Sequence, residues 1–241
     1  MIELDSLSCH YGDKTILNNI SLKITNHLTV LGANGSGKST LAKAICSLVE
    51  FDGIVKIDGN DIKNLAFKDR AKIISYIPTK LEVYDRYLLV EEFVLLSRFA
   101  YKSSFFDYSN EDKKIAKETL EFLELSYLLK QPLSSLSSGE TQLVLIAQAL
   151  VGQSKIIIFD EPTANLDPKN SKIIAQRIKS LKEYHEIILI THDLNLASYI
   201  DSPVFFIKDR KGNYFENDFF NEENLKEFYE VEFNSLVLVY D

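Results

Sequence analysis

The fold of this chain is decided by the stretch Leu28-Thr29-Val30-Leu31-Gly32-Ala33-Asn34-Gly35-Ser36-Gly37-Lys38-Ser39-Thr40. The second part of this stretch fits the pattern G-x-x-x-x-G-K-[ST]. It lies between an apolar segment with the pattern of a strand, Leu28–Leu31, and a helical pattern over Leu41–Leu48. A strand, a glycine-rich loop and a helix in this order are typical of a phosphate-binding loop in an α/β protein.

Each residue type in this loop has a physical reason. Glycines let successive backbone N–H groups curl around a phosphate, and the helix N-terminus directs partial positive charge at the same point. Lys38 adds a cation for the outer phosphates, and Ser39 offers a hydroxyl to Mg²⁺. The alternative, a turn without a ligand, does not explain why Lys-Ser and a helix follow. We therefore expect nucleotide phosphates to be bound by Gly32, Ala33, Asn34, Gly35, Ser36, Gly37, Lys38, Ser39 and Thr40.

A second candidate segment, Ile156–Glu161, is an apolar strand that ends in two carboxylates. Asp160 would face the Mg²⁺ that Ser39 coordinates, and Glu161 would lie where it can polarise an attacking water. Acidic strand ends are common by chance, so this segment carries weight only beside the phosphate loop. Open α/β sheets bind ligands beyond the carboxyl ends of their strands. Together the two segments predict an enzyme that hydrolyses a magnesium–nucleotide complex.

The composition of the 241 residues is that of an ordinary globular protein, with 46% hydrophobic and 26% charged residues. The net charge of −8 argues against a broad basic surface, so we expect no nucleic-acid partner. Cys9 and Cys46 lack the spacing of a zinc or redox motif, and we expect both to be reduced, buried and inert, in keeping with a cytoplasmic protein. No apolar segment approaches the ~20 residues that a membrane-spanning helix needs, and the N-terminus has no export signal.

The order of apolar segments indicates alternating strands and helices. Glu91–Phe99 and Glu111–Leu125 have helical spacing with no strand between them, which predicts a helical insertion. Four brief, β-branched segments have the pattern of strands covered on both faces, as in a doubly wound α/β sheet: Ile54–Ile57, Ile73–Ile77, Ile156–Phe159 and Ile187–Thr191.

The segment Leu136-Ser137-Ser138-Gly139-Glu140-Thr141-Gln142 resembles the LSGGQ signature of ATP-binding-cassette (ABC) ATPases. Ser138 stands in place of the first signature glycine, and Glu140 in place of the glutamine. Taken alone, the segment also fits a plain Ser/Gly cap of the helix predicted over Glu140–Val151. Its position shortly before the strand of Asp160 and Glu161 favours the signature, and the resemblance covers nearly the whole chain.

The resemblance implies a P-loop NTPase fold of ABC type, with a mostly parallel core sheet, an N-terminal antiparallel β portion and a helical insertion. It implies one nucleotide-binding domain over residues 1–241, with a helical subdomain at about 88–142 and a C-terminal hairpin and helix at about 204–241. It also implies a head-to-tail dimer of two copies around two MgATP. In that dimer Ser137, Ser138 and Gly139 of one copy close on the ATP of the other.

Three further positions match family elements. Tyr11 is similar to the aromatic platform on which adenine stacks, although a tyrosine there could equally belong to the core. Asp167 lies in a segment similar to the loop that crosses the dimer interface, and His192 resembles the switch histidine that contacts the γ-phosphate. A lone histidine is more often structural, but this one ends a strand beside the other candidates. The resemblance thus implies that Lys38, Glu161 and His192 are the catalytic residues.

One position departs from the family pattern. After the strand Ile73–Ile77 the family has a glutamine that ligands the metal and senses the membrane partner, whereas here Pro78 is followed by Thr79. Thr79 could still supply an oxygen to the metal, but its shorter side chain would need a bridging water. Slower hydrolysis, looser metal binding or a different coupling to the membrane partner would each follow from this change.

The motifs that indicate a branch of the family are less specific than the phosphate loop. Val90–Phe99, Thr191–Ala197 and Asn221–Phe228 are similar to segments of ATPases that serve iron-siderophore, haem and cobalamin importers. These segments also have purely structural interpretations. Val90–Phe99 has the spacing of any amphipathic helix, and Asn221–Phe228 could be a helix packed on the edge of the domain.

The segment Val204–Glu216 has the pattern of a hairpin, and we expect Lys211-Gly212-Asn213 to form its turn. A cluster of aromatic residues follows the strands, and it would close a small core or hold a dimer contact. Its members are Phe215, Phe219, Phe220, Phe228, Tyr229 and Phe233.

We therefore expect an ATP-hydrolysing subunit that dimerises and drives a separate membrane permease, in uptake of an iron chelate, haem or cobalamin. It would lie on the inner face of the cell membrane through that permease. The alternatives are the ATPase of another importer or an exporter, and a soluble assembly ATPase such as one that serves iron–sulfur cluster construction. A regulatory nucleotide binder is a weaker alternative, because the expected base, Glu161, is present.

Overall fold

The computed structural model describes residues 1–82, 85–102, 107–230 and 240. The remaining positions, among them Phe233 and part of the expected hairpin-and-helix region, lie outside the described residues. Within the described residues, no helix is both long and apolar enough to cross a bilayer.

The first sheet is antiparallel and has four strands in the order β2-β1-β4-β5. Its strands are β1 (Ile2–Tyr11), β2 (Lys14–Ile24), β4 (Asp52–Ile57) and β5 (Asn60–Asp61). Alternating residues of β1 and β2 are buried, as expected for strands with one face on the core. The expectation that Ile54–Ile57 is covered on both faces is wrong, because β4 belongs to this sheet and Ile54 is 38% exposed.

The second sheet has six strands in the order β10-β9-β3-β8-β7-β6, all parallel except the edge strand β10. Strands β3, β7 and β8 are buried over nearly their whole length and rich in aliphatic residues, because helices cover one face of the sheet and one helix together with the first sheet covers the other. The bounds are β3 (Leu28–Gly32), β6 (Ile74–Ile77), β7 (Ile156–Asp160), β8 (Glu186–Ile190), β9 (Val204–Lys208) and β10 (Lys211–Phe215). The two sheets together have the α/β fold expected of an ABC ATPase.

The described residues include eight α-helices. The observed bounds differ from the expected ones: the helix expected over Glu111–Leu125 ends at Phe122, and the one expected over Glu140–Val151 begins at Ser138. The helix expected over Leu41–Leu48 is α1 (Lys38–Ile45), and the one expected over Glu91–Phe99 is α3 (Val90–Leu95), continued by a 3-10 helix, Leu96–Tyr101. The others are α2 (Phe67–Ile73), α4 (Asn110–Phe122), α5 (Ser138–Val151), α6 (Pro168–Leu181), α7 (Leu194–Ile200) and α8 (Glu222–Tyr229).

The hairpin at β9 and β10 has a different turn from the one expected. Lys211, Gly212 and Asn213 pair with β9, and the turn is made by Asp209 and Arg210, which have φ values of 52° and 66°. Gly212 is a packing residue, because a Cβ there would lie 1.8 Å from the ring of Phe205. The expected turn is therefore wrong. Gly212 lies within β10, where the absence of a side chain lets the Phe205 ring pack against the backbone.

Aromatic residues behind the hairpin form a small core with α8. Phe206 lies 5.8 Å from Phe219 and 4.9 Å from Phe228 between ring centroids, and Phe215 meets both of those rings edge-on. Phe219 is 2% exposed. These described members of the expected aromatic cluster therefore act through packing.

Candidate functional site

The phosphate loop lies at the carboxyl end of β3, between that strand and α1. Gly32 has no room for a side chain, because a Cβ there would lie 2.5 Å from the carbonyl oxygen of Ile207. Gly37, the residue before α1, has a φ of 105° and would direct a Cβ to 2.8 Å from Leu17. Both positions require glycine, so the loop backbone lies close to its neighbours and leaves Ala33, Asn34 and Gly35 exposed.

Lys38 is the first residue of α1 and is only 6% exposed. Its Nζ donates hydrogen bonds to the carbonyl oxygens of Gly32 at 2.8 Å and Ala33 at 3.1 Å, and lies 3.8 Å from Oε1 of Glu161. Burial lowers the pKa of Lys38 below its usual value, while the carboxylates of Glu161 and Asp160 oppose that shift. The cation is thus fixed at the loop, with carboxylates on one side of it.

Asp160 is the last residue of β7 and is 2% exposed. Its Oδ1 accepts a hydrogen bond from the Ser39 hydroxyl at 2.9 Å, and its Oδ2 accepts one from the Tyr76 hydroxyl at 2.6 Å. The fold therefore brings together Ser39 and Asp160, which are 121 positions apart in the chain.

Glu161 follows Asp160 and takes a left-handed backbone conformation, with a φ of 51°. Its Oε2 lies 2.9 Å from Nδ1 of His192 and accepts hydrogen bonds from the His192 backbone N–H and the Thr191 hydroxyl. Since Thr191 and His192 directly follow β8, the neighbouring strands β7 and β8 position two of the three expected catalytic side chains, Glu161 and His192. The imidazole is half exposed, whereas the carboxylate is 14% exposed.

The residues present fit a magnesium–nucleotide complex. In the described part of the chain, the Ser36 hydroxyl oxygen is buried in the loop without a hydrogen-bond partner, as a donor awaiting a phosphate would be. Ser39 and Asp160 provide the hard oxygen atoms that Mg²⁺ prefers. Ser36, Ser39 and Thr40 are all partly accessible from solvent.

Two further expected site residues, Tyr11 and Thr79, are exposed. Tyr11 ends β1 and is 54% exposed, and the partner strand β2 packs Ile16 and Leu17 against Gly37. Thr79 is exposed at the bend after β6, and no hydrogen bond among the described residues joins it to Ser39 or Asp160. An accessible ring at Tyr11 suits stacking, and the place of Thr79 at the metal stays a prediction.

The signature segment forms the N-terminus of α5. Ser137 caps this helix: its hydroxyl oxygen accepts from the Glu140 N–H at 3.3 Å, and the Glu140 carboxylate accepts from the Ser137 N–H at 2.9 Å. Ser137 and Ser138 are exposed, and Gly139 is buried. The glutamate that replaces the family glutamine therefore completes a capping box, which stabilises the helix start.

The segment expected to cross the dimer interface ends at Asp167, the N-cap of α6. Asp167 is exposed, and hydrogen bonds from the backbone and side chain of Asn170 hold its pKa below the usual range. The Asn170 side chain also fills the space beside Gly139, where a Cβ would lie 2.7 Å away from it. Asn170 thus links Asp167 to the signature segment.

Sequence reasoning missed three residues that support the site. Tyr76 contacts Asp160, Asn170 packs on Gly139, and the Tyr240 hydroxyl donates to Oδ2 of Asp193, next to His192, at 2.7 Å. Tyr76 could have been predicted, because a tyrosine in the apolar segment Ile73–Ile77 needs a hydrogen-bond partner for its hydroxyl in a buried strand. The other two contacts join distant segments and leave no pattern in the sequence.

Known proteins resemble this chain over most of its length. The family model described as "ABC transporter" matches residues 17–164. An uncharacterized ABC transporter ATP-binding protein of Methanocaldococcus jannaschii is 35% identical, over 96% of this chain and 92% of that protein. A probable iron chelatin transport ATP-binding protein of Helicobacter pylori is 33% identical, over 88% of this chain and 85% of that protein.

A solved structure supports the same relationship. It is a dimeric ATP-binding cassette in a post-hydrolysis state with ADP and Pi, and it is 28% identical to this chain with a TM-score of 0.75. The likeness covers 88% of this chain and 97% of that cassette.

Proposed function

The chain belongs to the ABC transporter family of ATP-hydrolysing, ATP-binding proteins, and from this premise we propose that it powers a separate membrane permease for the uptake of a metal chelate. The observation that carries the catalytic part is the meeting of four side chains at the carboxyl ends of β3 and β7, which lie on either side of β8: Lys38, Ser39, Asp160 and Glu161. Groups of this kind bind a nucleoside triphosphate and orient a water molecule for attack on its γ-phosphate.

The phosphates would be held by the backbone N–H groups of residues 32–40, by the helix dipole of α1 and by Lys38. Ser39 and Asp160 would hold Mg²⁺, which neutralises phosphate charge when bound. Thr79 would contact the same metal through a bridging water. The Tyr11 ring would stack on adenine.

Glu161 is proposed as the general base. Its carboxylate would accept a proton from the attacking water, at a position fixed by Thr191 and His192. His192 would orient the γ-phosphate and hold Glu161, since its Nδ1 lies 2.9 Å from the carboxylate and its ring is half exposed. The experiment of first choice is therefore Glu161→Gln, which keeps the shape of the side chain and removes the base.

A second copy of the chain is proposed as the partner that completes the site. Ser137, Ser138, Gly139 and Asp167 do not contact the phosphate loop of their own chain through any hydrogen bond among the described residues. Ser137, Ser138 and Asp167 are exposed, so they are available to the ATP of a second copy. The dimeric assembly of the similar cassette supports this arrangement.

Steady-state MgATP hydrolysis at increasing protein concentration tests both parts of the proposal. We expect turnover per chain to rise with concentration and to vanish in Glu161→Gln, while that variant binds ATP and sediments as a dimer. Unchanged turnover in Glu161→Gln would refute the base. Turnover per chain that is constant over concentrations where the chain is monomeric would refute the shared site.

The permease is proposed to dock on an apolar groove between α2, β6, α5 and the 3-10 helix Leu96–Tyr101. This groove encloses about 480 Å³ and is lined by Phe67, Leu96 and Phe99, which are 63%, 48% and 47% exposed. An exposed groove of aliphatic and aromatic side chains suits an amphipathic helix of a partner. The proposal of a metal chelate as cargo rests on the name of the Helicobacter pylori relative, and the chain would then lie on the inner face of the membrane.

Purification from native membranes tests this docking. We expect a polytopic membrane protein to accompany the wild-type chain and to be lost in Phe99→Ser. The matched control is Phe122→Ser on α4, another exposed phenylalanine (67%) outside the groove. Equal recovery of the partner with both variants would contradict the proposed groove.

A further inference from the structure

Both oxygens of the Asp160 carboxylate are engaged from opposite sides. Oδ1 accepts the Ser39 hydroxyl, which belongs to the phosphate-binding helix α1, and Oδ2 accepts the Tyr76 hydroxyl, which belongs to β6. A carboxylate that is 2% exposed needs such donors, because an ionised group without partners is costly to bury. The 2.6 Å distance from Tyr76 is that of a strong, charge-assisted hydrogen bond.

The Tyr76 hydroxyl is placed by the sheet itself. Strand β6 runs parallel to β7, with Tyr76 opposite Ile158 and Ile77 opposite Phe159, so the phenol reaches forward to the end of β7. The partly buried ring packs against the apolar core between the two sheets. The hydroxyl is therefore held next to Asp160 by a strand of the central sheet.

We propose that Tyr76 is a positioning residue of the magnesium site: its hydroxyl holds Oδ2 of Asp160 so that Oδ1 stays directed at Ser39 and the metal. This proposal rests on the proposed roles of Ser39 and Asp160 as metal ligands. Tyr76 acts through Asp160, in the way that outer residues orient the ligands of other metal sites.

The alternative is that Tyr76 only stabilises the fold. A purely structural role predicts that its loss affects ATP binding equally with and without metal. A positioning role predicts a loss confined to the metal, because without the hydroxyl the Asp160 carboxylate can rotate away from Ser39. The two roles therefore differ in the ratio of the two affinities.

The test is Tyr76→Phe in a Glu161→Gln background, where turnover does not interfere. Mn²⁺, which replaces Mg²⁺ and is visible by electron paramagnetic resonance, would be titrated into the complex with ATP, and ATP alone would be titrated in EDTA. We expect the Mn²⁺ affinity to fall about tenfold and the ATP affinity in EDTA to stay within twofold. The matched control is Tyr184→Phe, a tyrosine that is 78% exposed.

Three outcomes are decisive. An unchanged Mn²⁺ affinity in Tyr76→Phe, or an equal loss in EDTA, would overturn the positioning role. A Tyr76→Phe change that causes no further loss once Asp160 is Asn would support action through Asp160. The comparison with and without metal is made within one variant, so it remains valid if Tyr76→Phe lowers the melting temperature.

Different results would contradict the proposed metal-ligand role of Asp160 and the proposed role of Tyr76. If Asp160→Asn alone leaves the Mn²⁺ affinity unchanged, the metal-ligand role of Asp160 is wrong. If Asp160→Asn abolishes Mn²⁺ binding while Tyr76→Phe leaves it intact, only the inference about Tyr76 is wrong.

Discussion

Tyr11 offers the clearest single-residue test of nucleotide recognition. Its ring is 54% exposed at the end of β1, so it is accessible to a flat ligand. Removing the ring in Tyr11→Ala is expected to weaken ATP binding by about 1–3 kcal/mol, the range for stacking of a base on an aromatic side chain. Tyr11→Phe keeps the ring and should bind ATP like the wild type. Equal affinities for all three proteins in an ATP titration would contradict stacking.

Single site residues can be predicted from the sequence where a short local motif identifies them. Lys38 and Ser39 follow from the glycine-rich pattern, and Asp160 from an apolar strand that ends in acids. The supporting residues Tyr76 and Asn170 could not be predicted in the same way. Their contacts, with Asp160 and Gly139, depend on strand register and helix packing that only the folded chain defines.

In the described residues, a buried ion pair joins two elements of the helical region. Nε of Arg98, in the 3-10 helix after α3, lies 2.7 Å from Oδ1 of Asp112 in α4, and both side chains are at most 10% exposed. Burial alone would raise the pKa of Asp112, but hydrogen bonds from Ser109 and Arg98 hold it below the usual value. The ionised form is thus the one that stabilises these helices.

We expect Asp112→Asn to lower the free energy of unfolding by about 3–5 kcal/mol at pH 7, because it leaves Arg98 buried without its counter-ion. Since the folded pKa is depressed, this contribution is fully present above the unfolded value, near pH 4. It is lost as the pH falls through the folded pKa. Urea unfolding of both proteins at pH 7 and below pH 4 should show the difference shrink in acid.

The exposed pair of Asp107 and Lys113 provides the control, since the Asp107 side chain is 87% exposed. Asp107→Asn should cost less than about 1 kcal/mol. If Asp112→Asn is no more harmful than this control, or if its cost is the same at both pH values, the ion pair does not hold the region as described.

Element boundaries show where sequence patterns reach their limit. The pattern predicts the hairpin turn at Lys211-Gly212-Asn213, because glycine is a usual turn residue, whereas in the folded chain Gly212 lies in β10 under the ring of Phe205. Similarly, Ile54–Ile57 has the nearly apolar pattern of a strand buried on both faces, yet Ile54 is 38% exposed in the antiparallel sheet. In both cases a neighbouring element, absent from the local pattern, decides the outcome.

For the molecule as a whole, the site is formed by the ends of three strands that lie side by side, β3, β8 and β7. A ligand bound there stabilises the folded chain as a unit. At one hundred times its dissociation constant, MgATP should add about 2.7 kcal/mol. For a domain of this size, that is a rise in melting temperature of about 5–10 °C. Calorimetry of the Glu161→Gln variant with and without MgATP would measure it.

Lys38→Ala is the control for this measurement. The substitution removes the buried cation of the phosphate loop, so the rise in melting temperature should disappear. A rise of the same size in Lys38→Ala would mean that the nucleotide binds elsewhere.

The strand order also determines how late in synthesis the central sheet can form. His27, the residue before β3, accepts a hydrogen bond from the backbone N–H of Ile187 in β8, 160 positions later. At about 5–20 residues per second, synthesis of that interval takes on the order of ten to thirty seconds. During this time the phosphate loop exists without the strand that flanks it. The nascent chain must therefore carry an apolar, unpaired strand edge for much of its synthesis, and chaperones have their longest access to β3.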